Sequence, residues 1–301
     1  MDHFLELYRP ELRDPVVLTA FAGWNDAAEV ATGALRFLIR QWNAEPFAEI
    51  DPEEFYVFTD TRPRVKIGDN GLRQMNWPQN QFYHARPPGS TRDVLMLVGI
   101  EPQLKWRTFS TLILDCVKAH RARIIVSLGG LLAEVLHNRP AVLTGSVGDP
   151  ELARRLVTVK LHQSRYEGPT GINGVLGAGC RERGITSGSV WGNVPHYISA
   201  ISNPPVMGAL VHSVAELLDI QVDSSEIERS TARFNAEVAR AIDGDEEISA
   251  YVRQLEERLP DAGSGGTSHS DESAPTELPN ARDLVQDLDN FFRRRQQPPG
   301  D

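Results

Sequence analysis

Side chains able to do acid–base, nucleophilic or anion-binding chemistry fall just after several segments that read as β-strands. Asp93-Val-Leu-Met-Leu-Val-Gly-Ile-Glu101 is the clearest core strand in the chain, and Pro102 follows it. Glu101 therefore places its carboxylate at a carboxyl-terminal strand end, where open α/β sheets keep their ligand sites. A helix cap or a salt bridge explains that position equally well. Ser127-Leu-Gly-Gly130 ends the next strand pattern, and Gly129 and Gly130 there permit close backbone approach. Thr170, Asn173, His196 and Tyr197 belong to a later segment that also turns around a strand. Together with Glu101, Ser127, Gly129 and Gly130 they form a candidate cleft, for catalysis or for holding a small ligand.

Gly23-Trp24-Asn25 sits where the first strand pattern turns into a helix whose leading amides are free, a place that can hold an anion. Asp26 works against it, and a tight turn with a capped helix and a packed Trp24 is the plainer reading. Asp60, Arg62, Arg64 and Lys66 alternate ahead of Asn70-Gly71, a strong hairpin signal. Period two puts the acid and the three bases on one face, to grip an anionic ligand or, as favoured here, to make a subunit contact. Gly171, Gly174 and Gly177 recur every third residue along a predicted helix and form a small-residue ridge against which a neighbouring backbone can pack. These six, Arg62, Arg64, Lys66 and the three glycines, are the candidate interface residues.

Other chemistries find no motif. His84, His120, His137, His162 and His212 are dispersed without ligand spacing, and the sequence holds no H-E-x-x-H or C-x-x-C, so neither a metal nor a cofactor is expected. Gly177-Ala-Gly179 lacks the third glycine of a dinucleotide fingerprint. Gly184-Ile-Thr-Ser-Gly188 mimics a nucleophile elbow, but it runs from helix into strand, the reverse of what an elbow needs.

The elements that must position these residues alternate along the chain. Val16 to Phe21, Asp93 to Glu101, Arg123 to Leu128, Ala141 to Ser146 and Ile185 to Trp191 read as strands, as does the short run Phe55 to Phe58. Ala27 to Trp42, Trp106 to His120, a Pro169-led segment through Cys180, and Val206 to Leu218 read as amphipathic helices. Such alternation argues for an α/β sandwich with a largely parallel sheet. Charged helices follow over Ser225 to Ile242 and Glu246 to Leu259. The expected organisation is a core over 1–222, a charged helical extension over 223–260, a flexible linker over 261–276, and an amphipathic helix and tail over 277–301.

Charge follows the same division. The 301 residues carry a net charge of −10; residues 1–222 hold 22 basic and 23 acidic side chains, and residues 223–301 hold 9 and 18. An acidic tail argues against nucleic-acid binding, since phosphates would be repelled. No run of about 18 apolar residues predicts a membrane span, and the opening residues do not read as a signal peptide. Cys116 and Cys180 fall on apolar helical faces, as reduced core thiols of a cytoplasmic protein would.

Pro169-Thr-Gly-Ile-Asn-Gly-Val-Leu176 followed by Gly184-Ile-Thr-Ser-Gly-Ser-Val-Trp-Gly-Asn-Val-Pro-His-Tyr197 resembles the prokaryotic branch of the proteasome assembly chaperone family. Leu18-Thr-Ala-Phe-Ala-Gly-Trp-Asn-Asp-Ala-Ala28 and Asn203-Pro-Pro-Val-Met-Gly-Ala-Leu210 extend the resemblance over about Pro15 to Val222. It implies a three-layer α/β/α fold like that of nucleoside phosphorylases, a homo-oligomer with a trimer favoured, and proteasome subunits as partners. The role of the bacterial members is largely unassigned. Several family chaperones dock through a terminal hydrophobic-Tyr-any tripeptide, whereas this chain ends Pro298-Pro-Gly-Asp301. The expected function is an oligomeric, chaperone-like interaction protein. The alternative is an enzyme acting on a small anionic substrate in a phosphorylase-like cleft.

Overall fold

The computed structural model describes residues 3–68, 71–161, 167–199 and 202–259. In chain order the elements are β1 (Phe4–Glu6), β2 (Val16–Ala22), a 3-10 turn (Ala27–Glu29), α1 (Val30–Gln41), β3 (Glu45–Ile50), β4 (Arg64–Ile67), β5 (Arg73–Asn76), β6 (Asn80–Ala85), β7 (Val94–Ile100), α2 (Trp106–Ala119), β8 (Ile124–Ala133), β9 (Leu143–Val147), α3 (Pro150–Arg155), β10 (Val159–Leu161), α4 (Ile172–Glu182), β11 (Thr186–Pro195), α5 (Pro204–Leu218), α6 (Ser225–Asp243) and α7 (Glu246–Arg258). The predicted linker and terminal helix lie outside the described residues.

Nine strands form one sheet in the order β1-β3-β6-β7-β2-β8-β11-β9-β10, and β4 and β5 pair separately. Strands β7, β2, β8 and β11 run parallel through the centre. The sheet is mixed rather than largely parallel, because β6 and β3 add antiparallel on one side and β9 pairs antiparallel with β11 on the other. Alternation along β2 explains the layering. Val16, Leu18 and Ala20 pack with residues of α1 and α5 on one face, while Val17 and Phe21 pack with α2 and α4 on the other. Val16, Val17, Leu18 and Phe21, fully withdrawn from water, each contribute about 1.5–3 kcal/mol.

One predicted strand is absent, and two observed strands carry no clear sequence pattern. Phe55 to Phe58 forms turns, with Phe55 and Tyr56 buried as plugs rather than strand residues. Strands β3 and β6 escaped the pattern because Pro46 and two glutamates break the apolar run of β3, and a register shift between Pro46 and Ala48 absorbs the proline. The charged helices α6 and α7 form as expected. They bury Phe234, Val238, Ile248, Val252 and Leu255 in a third cluster with Leu136, Tyr197 and Ile198.

Candidate functional site

The carboxyl ends of β2 and β7 meet the start of α4. Beyond β2 the chain turns at Gly23, whose φ of 120° is open to glycine and whose added Cβ would lie 3.3 Å from Glu101 Cβ. Glu101 leaves β7 with its amide donating to Ala22 O at 2.8 Å. One carboxylate oxygen, Oε1, accepts from Asn25 Nδ2 at 2.5 Å and from the Ile172 amide at 2.8 Å. Gly171 precedes α4 because Asn25 occupies the space its side chain would need; an added Cβ would stand 2.7 Å from Asn25 Cγ. Asn173, 6 % exposed, donates weakly to Leu128 O at 3.4 Å.

Asp26 fixes the other side of the same turn. Its carboxylate accepts from the Ala31 amide at 2.7 Å, from the Thr32 amide at 3.3 Å and from Thr32 Oγ1 at 2.5 Å. Burial pushes its carboxyl above the usual aspartate range, against the pull of those three hydrogen bonds. Asp26 thus takes leading amides of α1, while Asn25 turns to Glu101. Trp24 is not packed; it is 67 % exposed. A carboxylate beside the Gly23-Trp24-Asn25 turn gives that turn a negative rather than an anion-seeking character.

The eight cleft residues divide. Glu101, Thr170 and Asn173 stay around this turn, and Gly130 joins them by donating its amide to Asn25 O at 2.8 Å. Ser127 does not end its strand, since β8 runs on to Ala133. Its hydroxyl accepts from Thr19 Oγ1 at 3.0 Å inside the sheet. Gly129 makes room for Trp191, whose Cδ2 would lie 2.9 Å from an added Cβ.

His196 and Tyr197 belong to a second place, beyond the end of β11. His196 Nδ1 lies 3.2 Å from Ala133 O, which can only accept, so Nδ1 is the donor there, and Nε2 faces Tyr251 OH at 2.6 Å. Tyr197 OH receives the His137 amide at 3.0 Å and meets His137 Nδ1 at 2.8 Å. Burial raises the phenols of Tyr197 and Tyr251 and lowers His137. Asn138 and Glu134 add hydrogen bonds to Glu256 and Arg258 of α7. This is a polar latch between core and α7, which no sequence motif announced.

The hairpin forms as β4 and β5, but only Arg64 and Lys66 lie in it; Arg62 and Asp60 precede β4. Register pairs Arg64 with Asn76 and Lys66 with Gln74, giving a polar, cationic face. The opposite face is mostly apolar: Val65 stands across from Met75, and Ile67, two residues on, stands across from Arg73. Val65 is 51 % exposed, Met75 54 % and Ile67 76 %. Of the glycine ridge, Gly171 faces Asn25 and Gly174 faces Thr170 of the same chain, whereas Gly177 has only Arg181 Nη1 at 3.9 Å.

A family model described as the PAC2 family matches residues 20–242, well over half of the sequence. The chain belongs to the PAC2 family. A PAC2 family protein of Streptomyces avermitilis is 34% identical, covers 79% of this chain and 100% of its own, and superposes with a TM-score of 0.71. A proteasome-assembly chaperone homologue of Mycobacterium tuberculosis is 37% identical over 79% of this chain and 99% of its own, with a TM-score of 0.70. An archaeal proteasome activator of Pyrococcus furiosus, 20% identical, shares the fold with a TM-score of 0.64 over 81% of this chain and 100% of its own. No curated protein matches the chain. The turn around Glu101 falls within the PAC2 match, as do His137, His196 and Tyr197, whereas the α7 side of the latch lies beyond it. No helix among the described residues is long and apolar enough to cross a membrane.

Proposed function

We propose that this PAC2 protein is an oligomeric, assembly-chaperone-like interaction protein, whose hairpin arm clasps a second copy of the chain. The apolar face of Val65, Ile67 and Met75 carries this reading. A two-stranded hairpin is marginal in water on its own, and these three side chains stand exposed on it. Leu72 and Trp77, 64 % and 47 % exposed, extend the apolar surface along the arm. A second copy can suit the arm by charge through its residues 223–301, which hold 9 basic and 18 acidic side chains, against Arg64 and Lys66 on the other face of the arm. A homotrimer is the form we favour.

Kinship with a chaperone homologue suggests proteasome subunits as clients of the assembled oligomer, in the intracellular setting that two free, buried cysteines suit. The phosphorylase-like layering that the family resemblance implies is an analogy of fold and assigns no chemistry. An anionic substrate is disfavoured, since the Glu101 carboxylate stands where such a substrate would bind. Mixing the full-length protein with purified proteasome core subunits from the same organism tests the client. A complex of defined mass in native mass spectrometry is expected. Separate masses at tens of micromolar protein would overturn the proteasome assignment.

A further inference from the structure

Beside α1 a cavity of about 400 Å³ opens onto the sheet, lined by the paired residues Gln81 of β6 and Val98 of β7. Its volume falls in the range of small-molecule sites. Arg36, Ile39 and Arg40 of α1 line it together, because helical positions three and four apart share one face. Trp77, in the segment leading into β6, lines it as well.

The polar groups around this space are chiefly donors. Among the described residues no acid lines it, although the whole chain carries a net charge of −10. Arg36 meets Glu29 at 3.9 Å and Arg40 meets Glu226 at 3.6 Å, both longer than a hydrogen bond, and all four side chains are at least half-exposed. Such pairs hold little energy, so an incoming anion can take both guanidiniums. Tyr83 OH donates to Gln81 Oε1 at 2.6 Å, which leaves the Gln81 carboxamide with its NH2 to offer. Burial raises the Tyr83 phenol and the Arg36 charge pulls it back, as a guanidinium standing near that phenol would. Trp77 supplies a flat apolar surface. It is 47 % exposed, and Phe58 holds it edge-on with ring centres 5.1 Å apart.

We propose that this cavity binds a small organic anion, a phosphate or carboxylate group carried on an aromatic body. Arg36 and Arg40 grip the charged head, for which forked donors are suited, and Trp77 packs on the ring. No residue of the Glu101 turn lines the cavity. Only Trp77 is shared with the apolar surface of the arm, so failure of this site would leave the oligomer reading untouched.

The test titrates the full-length protein with phenyl phosphate, benzoate, benzylammonium and inorganic phosphate, followed by calorimetry. Both aromatic anions should bind and benzylammonium should not. Inorganic phosphate should bind at least tenfold more weakly than phenyl phosphate. Tighter binding of phenyl phosphate marks a phosphate ester as the head group, and tighter binding of benzoate marks a carboxylate; either result supports the site. The double variant Arg36→Gln, Arg40→Gln removes two exposed charges and should weaken anion binding at least tenfold. Gln81→Glu can still accept from Tyr83 while setting a carboxylate in the cavity, and the same loss is expected. Preference for benzylammonium, equal binding of inorganic phosphate and phenyl phosphate, no binding of either aromatic anion at tens of millimolar, or undiminished binding by the variants would overturn it. The contrast of charges on the wild-type protein decides the matter even if a variant fails to fold.

Discussion

Gly171→Ala puts the geometry of the Glu101 turn at risk in one step. The new methyl would stand 2.7 Å from Asn25 Cγ, so Asn25 must move and its 2.5 Å bond to Glu101 must lengthen. Losing a hydrogen bond to a charged group costs about 1.5–3 kcal/mol, and forcing an extra carbon into a packed place about 1–3 kcal/mol. Restricting the unfolded chain returns about 0.4–1 kcal/mol. The net expectation is a loss of about 3 kcal/mol, or roughly 6–12 °C in melting temperature for a domain of this size. Gly177→Ala is the internal control, six residues along the same helix with only Arg181 Nη1 nearby, at 3.9 Å. It should stabilise by about 0.5–1 kcal/mol through helix propensity. Urea unfolding of both variants at one protein concentration measures the pair. A neutral Gly171→Ala would refute the packing argument, and a large loss at Gly177 would show that another surface packs on it.

Tyr197→Phe leaves the His137 amide without its acceptor and severs the contact to His137 Nδ1. It should cost about 1–3 kcal/mol and raise protease cleavage within α6 and α7 ahead of the core; unchanged cleavage would count against the latch. Asp93, 1 % exposed, is the anchor for Arg13 and Arg86. Burial alone would raise its carboxyl, but hydrogen bonds from Arg86 and Arg13 outweigh that and bring it down to about 2. A depressed carboxyl stabilises the fold above its unfolded value of about 4 and loses that contribution as pH falls toward 2. With both arginines half-exposed, it is worth about 2 kcal/mol or less. Asp93→Asn should therefore lower the urea midpoint at pH 7, with the gap to wild type shrinking between pH 4 and pH 2; a gap independent of pH would contradict the assignment.

The sequence exposed what depends on long, regular patterning. The apolar runs of β2, β7 and β8 and the amphipathic stripes of α2, α5 and α6 announce themselves, because burial on a parallel sheet demands them. Strand β6 did not, since Asn80, Gln81 and His84 interrupt the pattern, and only the pairing of Gln81 with Val98 through Ala85 with Val94 makes it a strand. At the site, Gly23, Asn25, Glu101 and Gly171 were legible one by one as strand ends, turns and close-approach glycines. Their convergence was not legible, because Asn25 and Glu101 are 76 residues apart and Glu101 and Ile172 71. His196 and Tyr197 are legible in the sequence as polar groups after a strand. They serve the contact with α7, a role visible only once Tyr251 and His137 are seen against them. The hairpin is legible in Asn70-Gly71 and its bases, whereas Val65 and Ile67, alternating with those charges, are too few to mark an apolar face in the sequence.

Native mass spectrometry of the full-length protein beside an Ile67→Glu, Met75→Glu variant tests the interaction reading most directly. Both substitutions lie on the exposed arm face and touch no core cluster, so the fold should survive them. The expected result is a wild-type oligomer, with the trimer dominant at micromolar concentration, and a variant that is monomeric and equally folded by circular dichroism. A monomeric wild type across the micromolar range, or the same oligomer in both proteins, would contradict the account.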